Sequence, residues 1–214
     1  NVGIELRFVM KSDTVKLRFK CSEESNIVPV TIFAGDLYQS QNNYITREVS
    51  EIVIDRKMLD PTNHNADAYK RFDPLFDLSV VRVLLQRGYV DFIDVEGEVE
   101  PPTADLLPAK KIFAYGSSIT SAAGAYTIES GYCPLTAHAL GYDVILKGYP
   151  GACCLQKEMA EYIAKQDFDF AILELGVNIL CVGVEEFGIR LTRLLKIVSE
   201  AHPDKKLFLI YNKG

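Results

Sequence analysis

Lys111-Ile112-Phe113-Ala114-Tyr115-Gly116-Ser117-Ser118-Ile119-Thr120 is the stretch on which the reading of the fold turns. Its apolar half is short and rich in β-formers, so it reads as a buried strand. The Gly-Ser-Ser that follows leaves the chain at the strand's carboxyl end, where open α/β sheets place their ligands. Downstream, strand-like runs at 143–146, 168–175 and 206–211 alternate with helical stretches near 130–140, 154–164 and 184–201. In the last of these Phe187, Leu191, Leu194, Leu195 and Val198 recur at helical spacing and define one apolar face. Strand and helix repeated in this way predict a parallel sheet with right-handed crossovers over residues 106–214.

Upstream the pattern changes. Ile4–Val9, Val15–Lys20, Val28–Phe33, Ser50–Asp55, Val80–Leu85 and Tyr89–Val95 alternate with period two, which means one wet face and one buried face. Gly35-Asp36, Asn42-Asn43 and Asp60-Pro61 read as turns, and 61–77 as a long loop. Residues 1–105 are therefore expected to form an all-β domain, a β-sandwich or jelly roll. The proline-rich Glu98–Asp105 reads as a connector rather than an element.

Composition bounds the function. The 214 residues are 48% hydrophobic and 24% charged, with a net charge of -6. A sequence pI near 5.2 argues against a nucleic-acid surface built on clustered Lys and Arg. No apolar run reaches the roughly 18 residues that span a bilayer, so no membrane partner is expected. The chain starts without Met or a basic-then-apolar leader, an expectation that leaves room for an upstream segment already removed. Five cysteines without a C-x-x-C pair indicate neither a zinc knuckle nor a disulfide framework. This points to a reducing, cytoplasmic location, with secretion after signal-peptide removal left open. No metal or organic cofactor is expected, and a homo-oligomer is left open.

In a parallel sheet the segments after each strand gather along one edge. They are Gly116-Ser117-Ser118, Gly148-Tyr149-Pro150-Gly151 and Gly176-Val177-Asn178. Ser118 can act as a nucleophile at the start of a turn or helix, Gly151 can bring a bare N–H to a developing oxyanion, and Asn178 can aim its amide at the same oxygen. In this order the three segments resemble the blocks of the SGNH, or GDSL-type, hydrolases. The first family block, usually Gly-Asp-Ser, stands here as Gly116-Ser117-Ser118. The resemblance implies a flavodoxin-like α/β/α fold, Ser118 as nucleophile, and an oxyanion hole of Ser118, Gly151 and Asn178. Ala34-Gly35-Asp36-Leu37-Tyr38 is similar to the Gly-x-Asp-Leu-Tyr signature of domains that precede certain SGNH esterases, with one residue fewer. A β-domain followed by such a catalytic domain also looks like two-domain esterases that deacetylate sugars, so a saccharide or other small polar ester is the expected partner.

The family's general base, a histidine three residues after an aspartate near the carboxyl end, has no counterpart here. His202 precedes a strand, His138 lies late in a helix, and His64 falls in the expected loop. Loss of that histidine costs a serine hydrolase on the order of 10⁶ in turnover. The expectation is an incomplete catalytic domain, its base supplied from beyond Gly214 or by a partner chain.

Simpler readings stand beside these. Ser118 can be a helix N-cap, Gly151 a turn glycine, and Asn178 a turn residue. Cys153 and Cys154 read as packing at a helix start, and Asp36 as an Asx turn. Glu174 either borders the cleft, touching a sugar hydroxyl, or has a cross-strand or surface role. Gly116–Thr120 can also be an anion loop for a nucleotide, though it lacks the lysine and glycine spacing of phosphate loops. A pseudoenzyme or carbohydrate-binding protein is the remaining alternative.

Overall fold

The computed structural model describes residues 2–23, 25, 27–60, 74–179 and 182–211. Two compact units divide the chain, Asn1–Ala109 and Lys110–Gly214.

The first unit holds strands β1 (Val2–Met10), β2 (Thr14–Cys21), β3 (Ile27–Ala34), β4 (Leu37–Thr46), β5 (Ser50–Asp55), β6 (Val80–Arg87), β7 (Val90–Glu96) and β8 (Val99–Glu100). They pair antiparallel in a five-stranded sheet, β4-β3-β6-β1-β8, and a three-stranded sheet, β5-β2-β7. Alternation does what period two requires. In β2, Val15, Leu17, Phe19 and Cys21 are buried, and they join Ile52 and Ile54 of β5 in one cluster with Phe8, Val30, Ile32 and Val83 of the other sheet.

Three expectations are corrected here. Asn42-Asn43 is not a turn, because β4 runs through it, with Asn43 opposite Val30 and Tyr44 opposite Pro29. The connector contains β8, whose Val99 and Glu100 pair with Met10 and Val9, and then a 3-10 turn at Ala104–Leu106. Asp36 does more than shape its turn. Its carboxylate accepts the N–H groups of Leu75 and Phe76 and pairs with Arg82 at 2.6 Å, which commits it to structure. Most of the expected 61–77 loop lies outside the described residues.

The second unit runs β9 (Lys111–Gly116), α1 (Tyr132–Leu140), β10 (Asp143–Gly148), α2 (Lys157–Ile163), β11 (Phe170–Leu175), α3 (Val184–Ala201) and β12 (Lys206–Tyr211). The sheet is parallel throughout, in the order β10-β9-β11-β12. From β9 the chain steps one way to β10, then crosses back to β11 and β12. With right-handed crossovers this reversal puts α1 on one face and α2 and α3 on the other. Packing agrees: Cys133 and Ala137 of α1 cover Ile112, Ala114 and Ile172, while Ala160, Ile163, Leu194 and Val198 cover Phe113, Tyr115 and Leu173. Phe187, Leu191 and Leu195 of α3 pack against that second cluster, as the spacing predicts.

Both shorter helices start later than the sequence suggests. Residues 128–130 form a 3-10 turn before α1, and Cys153 to Gln156 form loop rather than the start of α2. Leu155 has φ 54°, which no helix start accommodates.

Candidate functional site

Because β10, β9 and β11 are neighbours, their carboxyl ends bring the three small-residue segments side by side. Gly148 sits opposite Gly116 in the ladder, and the Tyr149 N–H donates to the Gly116 carbonyl at 2.9 Å. Across the other side, the Cys153 N–H donates to Asn178 Oδ1 at 3.2 Å, which ties the turn after β10 to the turn after β11.

The two serines have opposite fates. Ser117 is buried; its Oγ donates to Glu174 Oε2 at 2.6 Å and itself accepts the Ile119 N–H at 3.2 Å. Ser118 is half-buried, and among the described residues its Oγ has no protein partner. Of the two serine hydroxyls, that of Ser118 alone is uncommitted among the described residues. Ser118 opens a run of turns and not a helix; the first α-helix after it starts at Tyr132. That run is tight: Ser121 N–H donates to Ser117 O, while Ala123 N–H and Ser121 Oγ both donate to Ser118 O.

Close approach explains two glycines. A Cβ at Gly116 would overlap Thr120 Oγ1 and lie 2.8 Å from Glu174 Oε2, and one at Gly148 would overlap the Ser121 backbone. Nothing larger than glycine leaves room for the turn to fold back over the strand ends.

Three donors at this edge remain unspent among the described residues. They are the N–H of Ser118, the N–H of Gly151 and the side-chain amide of Asn178. Assigning Oδ1 to the Cys153 N–H turns the Asn178 NH₂ away from the loop, an orientation the hydrogen-bond network sets. Gly151 is exposed and holds φ 69°.

Glu174 decides between the sequence readings. It is 1% exposed, so it is not a surface residue, and its role is a cross-strand one, directed from β11 to the turn that follows the neighbouring β9. Its Oε2 gathers the Ser117 N–H at 2.8 Å, the Ser117 hydroxyl, and Thr120 Oγ1 at 3.2 Å, and Thr120 in turn meets Tyr132 OH at 3.0 Å. Spacing along the chain gave no signal for this cluster.

Cys153 is buried, and burial pushes its thiol up to about 11. It is a packed thiol without the electropositive surroundings that make a nucleophile. His138 lies in the last turn of α1, just before β10 begins, and His202 caps α3 just before β12. Both therefore stand at the amino edge of the sheet. The six-residue β9 separates that edge from Ser118 by roughly 17–20 Å. His202 is engaged there, its ring 4.5 Å from that of Phe168. His64 lies outside the described residues. Among the described residues no group of three His, Cys, Asp or Glu could hold a metal ion, and no helix is long and apolar enough to cross a membrane.

An α/β unit with a parallel sheet and this glycine-serine edge is similar to a known class. Residues 109–214 match the GDSL-like Lipase/Acylhydrolase family. No curated protein matches the chain by sequence. Among solved structures, the salicylyl-acyltransferase SsfX3 from a tetracycline biosynthetic pathway superposes with a TM-score of 0.65 at 17% identity, over 95% of this chain and 57% of that one. An acetyl xylan esterase from the rumen bacterium Butyrivibrio proteoclasticus gives 0.61 at 14% identity, over 98% and 72%. A family two carbohydrate esterase from Cellvibrio japonicus gives 0.61 at 16%, over 97% and 69%. The chain thus spans less than two thirds of the first of these, and at such identities the likeness is one of fold.

Proposed function

We propose that the protein is a serine-dependent ester hydrolase that removes acyl groups, acetyl above all, from sugars or other small polar alcohols. The observation that carries this reading is that one uncommitted hydroxyl, Ser118 Oγ, and three uncommitted donors lie in the segments after the adjacent strands β9, β10 and β11, among the described residues. The family match over 109–214 supports it. In this reading Ser118 Oγ attacks the ester carbonyl carbon and gives its proton to a base. The carbonyl oxygen becomes an oxyanion held by the N–H groups of Ser118 and Gly151 and by the Asn178 amide. Collapse breaks the C–O bond, the alcohol leaves with the proton, and water then frees the acyl group from Ser118. An alcohol in place of that water makes the same site an acyltransferase.

The base belongs to residues outside those described, since both described histidines stand at the far edge of the sheet. We read the first unit as a jelly-roll-like β-sandwich. The second reading, a pseudoenzyme or carbohydrate-binding protein, draws on that same absence of a histidine beside Ser118 among the described residues.

Turnover of p-nitrophenyl acetate and acetylated xylo-oligosaccharides by the full-length protein tests the proposal. Ser118→Ala is expected to reduce turnover by about 10⁵-fold or more. Undiminished turnover in that variant would remove Ser118 from the chemistry, and no turnover in either protein would favour the binding reading.

A further inference from the structure

We infer that Glu174 is the positioning residue of the nucleophile turn, acting on Ser118 through Ser117. The inference rests on Ser118 being the nucleophile, and it concerns what holds that serine in place. Glu174 is the last residue but one of β11, a central strand, so its backbone is fixed by parallel pairing. From that rigid base its Oε2 takes both the N–H and the hydroxyl of Ser117, 57 positions upstream, and also Thr120 Oγ1. These donors bracket Ser118 on both sides. The Ile119 N–H closes the bracket by donating to Ser117 Oγ. Gly116 completes the fit, because any Cβ there would drive into Thr120 Oγ1 and Glu174 Oε2.

The arrangement is one-sided. Oε1 of the same carboxyl group is buried and has no hydrogen-bond partner among the described residues, so all its recognition of the turn passes through one oxygen. A buried carboxylate left half unpaired is costly for a merely structural purpose, since an apolar side chain would fill the space without the desolvation. It is consistent with a group retained to fix geometry, where a displacement of about 1 Å at a reacting atom costs on the order of 10² in rate.

The pair also explains which residue can stand at 117. With a carboxylate already 2.6 Å from its hydroxyl, position 117 must donate. An aspartate there would set two carboxylates against each other in a buried site. Serine is a donor of the right length.

Three variants of the full-length protein, Glu174→Gln, Ser117→Asp and the double Ser117→Asp/Glu174→Gln, test this. The readouts are the rate of Ser118 modification by a fluorophosphonate, kcat and KM for p-nitrophenyl acetate, and the melting temperature. Glu174→Gln should slow modification and kcat about 10-fold, with KM changed less than about 3-fold. Ser117→Asp should slow both about 100-fold. In the double variant an amide donor faces the new carboxylate, and the rate should recover at least about 10-fold over Ser117→Asp, a non-additivity that independent sites do not show. Wild-type modification rates in Glu174→Gln, or a double variant no faster than Ser117→Asp at equal folded fraction, would overturn the positioning role alone. Wild-type protein modified elsewhere than Ser118 would overturn the nucleophile reading, and this inference with it.

Discussion

Asn178 Oδ1 accepts the Cys153 N–H, so the side-chain amide locks two loops together through its oxygen and leaves its NH₂ for the oxyanion role proposed above. The two duties can be separated. Asn178→Asp keeps the acceptor and removes the donor, whereas Asn178→Ala removes both. Asn178→Asp should lose about 10²–10³ in kcat with little change in melting temperature. Asn178→Ala should lose as much activity and a further ~1 kcal/mol of stability. Equal kcat for Asn178→Asp and wild type would take the amide out of the oxyanion hole.

Gly148 and Gly151 should respond differently to one methyl group. At Gly148 a Cβ meets the Ser121 backbone, which cannot swing aside, so Gly148→Ala should cost about 2–3 kcal/mol in denaturant unfolding. At Gly151 nothing lies within 4 Å, and the penalty is that of a left-handed backbone, about 1 kcal/mol. Gly151→Ala retains its N–H and should keep most of the activity. A neutral Gly148→Ala would show that the turn does not press on the end of β10.

In the first unit, Glu5 is opposed by its own burial, yet the Arg82 guanidinium and then Arg7 outweigh this and hold its carboxyl below the ordinary value of 4.5. A folded value below the unfolded one means that the stabilisation is complete above about 4.5 and is lost as pH falls through the folded value. Glu5→Gln should therefore cost about 2–3 kcal/mol at neutral pH, and its deficit should shrink on acidification. A deficit that is constant with pH would mean that the ion pairs contribute nothing.

Cys133 and Cys153, both pushed up to about 11 by burial, should resist iodoacetamide in the native protein at neutral pH and react once it is unfolded. Prompt alkylation of Cys153 with loss of ester turnover would contradict its reading as a packed, unreactive thiol.

The architecture of the second unit was legible because the apolar runs of β9, β10 and β11 end in glycine-containing turns and the 184–201 stretch carries an apolar stripe; β12 and α3 have the bounds their patterns suggest. The errors came where pairing partners overrode local punctuation. Asn42-Asn43 looks like a turn but is held in β4 by β3, and Val99-Glu100, immediately before the Pro101-Pro102 pair, is a strand only because Val9 and Met10 offer it a ladder. At the site, three turns and their order could be read from the sequence. The choice between Ser117 and Ser118 has its physical basis in Glu174, whose contact with the turn spans 57 positions and leaves no periodic trace.

The central claim is that Ser118, not its neighbour, is the group that reacts. Fluorophosphonate treatment of the full-length protein, followed by peptide mapping by tandem mass spectrometry, tests it most directly. The account predicts one adduct, on Ser118, absent from Ser118→Ala. An adduct on Ser117, or none on either serine in protein that turns over esters, would contradict it.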